Sequence, residues 1–208
     1  MKKLMLLLLL SQPVIAQAEV TISANVPAQA KTVEGFVPKG WKIEQKIVGD
    51  LNKDNIPDTV LELIQQPVAA DADPQRKLII ILQNKDKSLH KVAVAEKLLA
   101  CPICMGTVGT NADISIVKGV LIVDHLTGSR ETQDTIQRFR YDDKSGRFLL
   151  IGADIVTNDR LTLDGTSQST NYLTGEQIIE TIKKEKVVSK KKSKLAVKPT
   201  FIEDVSNQ

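Results

Sequence analysis

The sequence predicts an all-β protein, an antiparallel meander of partial-propeller or sandwich type with at most short helices. Two observations carry this: β-branched runs of strand length recur at short intervals, and Gly, Pro, Asn and Asp punctuate them. A third is the lack of long helical patterns alternating with those runs, which a parallel α/β sheet would require. Aromatic residues make up only 3% of the chain, so its core must be built mostly from Ile, Leu and Val.

The chain opens with Lys2 and Lys3, an apolar run over 4–10, and then Ala16-Gln17-Ala18. This is the three-part pattern of a secretory signal peptide, spanning 1–18 with cleavage expected after Ala18. The apolar core is about half the ~20 residues a membrane-spanning helix needs. No Cys follows the small residues, so a lipid anchor is not expected either. No later segment is long and apolar enough to span a bilayer, so the mature chain is expected to be periplasmic or secreted.

Residues 19–35 read as an extended lead-in, with a β-rich domain over 36–182. A turn at Pro38-Lys39-Gly40 precedes Trp41, Ile43, Ile47 and Val48, which suit a strand or a short helix. Residues 59–64 are β-rich. Residues 77–83 contain Leu78-Ile79-Ile80-Ile81-Leu82, an uninterrupted run that reads as a central strand covered on both faces. Residues 89–95 return as a third strand, and 96–100 suit a short helical turn.

Lys118-Gly119 splits 113–117 from 120–125 as a two-residue hairpin turn. Asp142-Asp143-Lys144-Ser145-Gly146 joins 135–141 to 147–154 in the clearest hairpin of the chain. Residues 169–173 and 177–182 suggest another, although 176–186 could also be helical. Residues 183–208 form a Lys-rich C-terminal edge strand or tail. Within 183–198 there are eight lysines against one glutamate, a net of +7 in a chain whose total is +3, so the rest of the mature body is mildly acidic. Thr200-Phe201-Ile202-Glu203-Asp204 is apolar enough to dock back on the body.

One segment carries recognisable chemistry. In Gly49-Asp50-Leu51-Asn52-Lys53-Asp54-Asn55-Ile56-Pro57-Asp58, oxygen-bearing side chains stand at relative positions 1, 3, 5 and 9. Ca²⁺ is a hard cation that takes several oxygens in a compact loop. Asp50, Asn52 and Asp54 could be aimed inward by tight winding, Ile56 would offer its carbonyl, and Asp58 would close the site. Asn55 occupies the sharp-turn position usually held by Gly, and Asn tolerates the left-handed region. Leu61 stands where an EF-hand would place its bidentate Glu, and a strand follows rather than a helix. The alternative is an Asp/Asn-rich turn capped by its own side chains without metal.

The segment from Trp41 to Ala95 resembles one FG-GAP or VCBS-type repeat, whose calcium loop reads Asp-x-Asp/Asn-x-Asp-Gly-x-x-Asp and runs into a β-strand. Asp50, Asn52, Asp54 and Asp58 match that pattern and Asn55 departs from it at the Gly. The resemblance implies a structural calcium ion at 49–58 in an exported protein. No second copy of the motif occurs, so a full propeller of at least ~4 blades is excluded. The mature chain also resembles uncharacterised exported bacterial proteins with one such loop, a short-spaced Cys pair, an Arg138-Phe139-Arg140-Tyr141-Asp142 hairpin and an Asn171-Tyr172-Leu173-Thr174-Gly175 turn. That resemblance supplies no activity.

Cys101 and Cys104 sit in Cys-Pro-Ile-Cys. An oxidising compartment makes a short-range disulfide the default over redox or zinc chemistry, for which no further ligands lie at useful spacing. Asp124-His125, with Ser115 and Ser129 nearby, invites a hydrolase comparison, but no Gly-x-Ser-x-Gly elbow is present, and in a strand the two side chains point to opposite faces. Arg138 and Arg140 could share a face and meet an acidic partner. The lysines over 183–198 could contact an anionic surface, whereas the lack of an aromatic residue before Phe201 leaves nucleic-acid stacking unsupported.

These features point to an exported, non-catalytic, calcium-stabilised binding or structural protein of the bacterial envelope. The alternatives are a periplasmic inhibitor or immunity-type protein acting on a secreted hydrolase or toxin, and an envelope hydrolase using Asp124 and His125.

Overall fold

A computed structural model describes residues 26–66, 74–100 and 112–206. The signal segment, Cys101 and Cys104 lie outside the described residues. The fold is all-β; the described residues form two antiparallel sheets and two single 3₁₀ turns.

The first sheet contains β1 (Gln29–Ala30), β2 (Trp41–Gly49), β3 (Asp58–Gln65), β4 (Arg76–Gln83) and β5 (Leu89–Ala95), in the order β1-β5-β4-β3-β2. Strand alternation splits its apolar residues between two cores. Val60, Leu78, Ile80, Leu82, Ala93 and Ala95 face the second sheet. Leu61, Leu63, Ile79, Ile81 and Leu89 face the other way, under Val26 and Phe36. β4 is therefore covered on both faces, as its unbroken apolar run requires. The stretch over 19–35 expected to be only a lead-in thus helps seal a sheet face: Val26 is buried there and β1 pairs with β5, next to the fully buried Phe36.

The second sheet is an unbroken meander of β6 (Ala112–Val117), β7 (Val120–Gly128), β8 (Glu131–Asp142), β9 (Arg147–Asp159), β10 (Asp164–Asn171), β11 (Glu176–Lys183) and β12 (Lys186–Lys194). Ala112, Ile114, Leu121, Val123, Phe139, Phe148 and Leu150 close the core between the sheets. Beyond β12 the chain returns across the sandwich. Thr200 accepts the Leu150 N–H at 2.9 Å, and Ile202 and Val205 are buried in the same core.

One local expectation is corrected and one alternative is decided. Residues 96–99 form bends, not a helical turn, and Leu98 and Leu99 are held in the core. Residues 176–183 form a strand paired with β10, which is the expected hairpin and not its helical alternative. Ile178, Ile179 and Ile182 have helical spacing, but seven register pairs with β10 and a ladder with β12 override that pattern. Among the described residues β10–β12 contribute no apolar side chain to either core, although Thr170 of β10 is buried.

Candidate functional site

Residues 50–57 form the loop joining β2 to β3 at the seam between the sheets, and Asp58 opens β3. Leu51 is fully buried in the inter-sheet core, and this fixes the backbone on either side of it. Gly49 packs on the Ile116 side chain of β6, while the Lys53 stem lies over Gly119 in the β6–β7 turn. On its other flank, Leu51, Asn52 and Lys53 border a cleft of about 320 Å³ shared with residues 140–144 of the β8–β9 hairpin. The loop therefore touches two hairpins of the opposite sheet.

Its carboxylates organise the turn. Asp50 accepts the Lys53 N–H on Oδ1 at 2.6 Å and the Asn55 N–H on Oδ2 at 3.0 Å. Asn52 Oδ1 accepts the Asp54 N–H at 3.1 Å, Asp54 Oδ1 accepts the Ile56 N–H at 2.8 Å, and the Asn52 amide donates to Asp54 Oδ2 at 3.1 Å. Asn55 adopts φ 65°, the left-handed conformation its sequence position called for, and Lys53 does so too at φ 66°. Lys53 has no intrinsic liking for that region, so the Asp50 cap on its own N–H and on that of Asn55 holds it there.

Asp58 does a different job. It is 1% exposed, and its two oxygens accept the N–H groups of Leu51 at 2.9 Å and Gln83 at 3.0 Å. One carboxylate thus ties the loop entrance to the start of β3 and the end of β4. Burial pushes its pKa above the ordinary value; the two backbone donors oppose that shift, and the charges of Asp54 and Asp50 add to it.

The donors present, Asp50, Asn52, Asp54, Asp58 and the Ile56 carbonyl, are all oxygen and suit a hard cation. Each side-chain oxygen just described accepts one hydrogen bond and keeps lone-pair capacity. Among the described residues no three His, Cys, Asp or Glu side chains are gathered closely enough to hold an ion by themselves. An ion here would rely on the mixed set, with the amide of Asn52 and the Ile56 carbonyl beside the carboxylates.

The remaining candidates are distributed differently. His125 is 3% exposed and lies between the sheets, where burial and then the Arg76 charge hold it down at about 4, so it is neutral. Its sequence neighbour Asp124 stands on the opposite, half-exposed face of β7. There burial, and then the adjoining Asp134 and Asp113, push Asp124 up to about 6 against the pull of Arg138. Asp124 and His125 are therefore not brought together. Arg138 and Arg140 do share that face, but Arg138 is engaged by Asp154 at 2.7 Å.

Sequence reasoning missed a fully buried ion pair, Glu62 with Arg76, on the inner face of the first sheet. Its only signal was a charged residue at each of two positions that strand alternation assigns to the interior. It also missed the Asp124–Asp134 neighbourhood, which follows from the β7–β8 register and not from spacing along the chain.

No protein-family model, no curated protein and no solved structure matches this chain.

Proposed function

We propose that this chain is an exported, non-catalytic binding or structural protein of the bacterial envelope, with its sandwich pinned by Ca²⁺ in the 50–58 loop. The observation that carries this is the loop's placement: an all-oxygen donor set sits on the seam between the two sheets, anchored by Leu51 in the core. Asp50, Asn52, Asp54, Asp58 and the Ile56 carbonyl would hold the ion. Its chemistry would be neutralisation of the Asp50, Asp54 and Asp58 charges, which oppose one another, adding ion coordination to the hydrogen bonds that already hold the turn. The likeness of residues 41–95 to an FG-GAP or VCBS-type unit supports the same assignment, as does the signal pattern ending at Ala18.

Titration calorimetry of the purified mature chain with CaCl₂ tests it. One site is expected, abolished by Asp50→Ala combined with Asp54→Ala. Absence of heat in the wild-type chain would remove the calcium assignment.

The inhibitor or immunity-type alternative draws on the unequal charge of the second sheet, with lysines on β12 at one edge and Asp113, Asp124 and Asp134 toward the other. Oppositely charged faces steer a partner into one orientation. Recovery of one stoichiometric partner from envelope extract would favour it. The envelope hydrolase alternative would need turnover that His125→Ala abolishes, and the buried, neutral His125 faces away from Asp124.

A further inference from the structure

β12 is the last strand of the second sheet, and among the described residues β11 is its only neighbour. Eight of its nine residues are exposed, and Ser193 is the one of intermediate burial. An edge of this kind carries a row of unpaired main-chain donors and acceptors.

The pairing identifies which residues present them. Leu195 donates its N–H to the Gly175 carbonyl at 2.7 Å, one step beyond the pair Glu176↔Lys194. In an antiparallel ladder hydrogen-bonded and non-hydrogen-bonded pairs alternate. Gln177↔Ser193, Ile179↔Lys191 and Thr181↔Ser189 are therefore the bonded pairs. The main-chain groups of Lys190, Lys192 and Lys194 point to the open side. All three side chains stand on one face, opposite Glu180, Ile178 and Glu176 in turn. Glu180 engages Lys190 at 2.6 Å, and no ion pair joins Lys192 or Lys194 to any described residue.

We propose that the open edge of β12 is a docking site for an extended acidic polypeptide segment that adds to the sheet as a further strand. A strand bonded to Lys190, Lys192 and Lys194 must place the residues opposite them on the same face, within cross-strand contact. Carboxylates at every second position of the incoming segment meet Lys192 and Lys194 and add a second acidic contact to Lys190, which Glu180 already engages. The same lysines reject a second copy, because antiparallel pairing of two β12 edges centred on Lys192 sets Lys190 against Lys194. Main-chain bonding supplies the affinity, and the alternate carboxylates supply the selection. The proposal deepens the binding role proposed above and is independent of calcium.

The test is fluorescence anisotropy of the purified mature chain with a labelled peptide, Thr-Glu-Val-Glu-Val-Glu-Thr, at low salt. Three comparisons accompany it: the same peptide N-methylated at its glutamates, vesicles of phosphatidylglycerol, and the Lys192→Pro chain. Proline at 192 removes a donor that faces outward, so the β11–β12 ladder keeps its bonds. Saturable binding is expected, weakened about tenfold or more by N-methylation and by Lys192→Pro, as the loss of one or two main-chain bonds implies. Lys192→Glu provides a second variant should the proline disturb folding, and it must also weaken binding. No binding, or binding indifferent to N-methylation, overturns the proposal. So does a preference for the vesicles, which would mark an anionic-surface contact instead. Failure here leaves the calorimetric calcium result untouched, so the two outcomes are separable.

Discussion

Replacing Asp58 with alanine should destabilise the protein substantially even without metal. Asp58 is buried, and it accepts the N–H groups of Leu51 and Gln83, which lie on different elements. A hydrogen bond to a charged acceptor contributes about 1.5–3 kcal/mol, and both donors would be left without their acceptor. Part of that loss is offset, because the carboxylate is itself desolvated and repelled by Asp54 and Asp50, the causes that raise its pKa. A net cost of about 3 kcal/mol remains. Urea unfolding in EGTA measures it: with a slope of about 2 kcal/mol/M, the midpoint should fall by about 1.5 M with the slope unchanged. Asp58→Asn keeps the shape and one accepting oxygen, so it should fall by about half as much. A midpoint shift below about 0.3 M for Asp58→Ala would refute the claim that this carboxylate stitches the loop to β3 and β4.

Two further predictions concern the second sheet. His125 has a folded-state pKa of about 4 against an ordinary 6.5, so its contribution is complete above about 6.5 and is lost as pH falls toward 4. The stability advantage of the wild type over His125→Gln should therefore shrink by about 2–3 kcal/mol between about pH 7.5 and about pH 4.5 in parallel urea titrations, whereas a constant gap would contradict the buried neutral assignment. Gly128 holds φ 89° at the β7–β8 turn, where an added Cβ would run into the Glu131 carbonyl oxygen. Gly128→Ala should cost about 2 kcal/mol or more in thermal unfolding, and a neutral substitution would mean that the turn is built differently.

The parts of the fold legible in the sequence are those decided by short-range rules. The run Leu78-Ile79-Ile80-Ile81-Leu82 announced a strand buried on both faces because no polar face interrupts it. Lys118-Gly119 announced a tight hairpin, and both residues do take positive φ, 53° and 78°. What stayed hidden depends on partners far along the chain. Val26 and Phe36 seal the back of the first sheet through contacts that no local pattern specifies. The isoleucines of β11 fit a helix as well as a strand until β10 and β12 are placed beside them. β9 runs on to Asp159, past the expected end at Asp154, because β8 and β10 both pair with it from Gly152 to Asp159.

At the candidate site, the spacing of the oxygen-bearing side chains and the left-handed Asn55 could be read directly from the 50–58 segment. The division of labour within it could not: Asp58 looks like a fourth ligand in sequence, but it also carries the link to Gln83, 25 residues away. Nor does spacing reveal that Leu51 is the loop's anchor in the inter-sheet core. The charge run at the C-terminus left a strand and a tail equally open; the structure forms the strand β12, opposing its lysines to Glu176 and Glu180 of β11.

Thermal unfolding of the purified mature chain, run once in excess CaCl₂ and once in EGTA, bears most directly on the loop as an ion-closed seam. At a free ion concentration about a hundredfold above the dissociation constant, binding to the folded form alone stabilises by about 2.7 kcal/mol. For a domain of this size that raises Tm by about 5–10 °C, and the double substitution Asp50→Ala with Asp54→Ala should erase the difference. Superimposable wild-type melts in the two buffers would show that the carboxylates of 50–58 cap their own turn and hold no calcium.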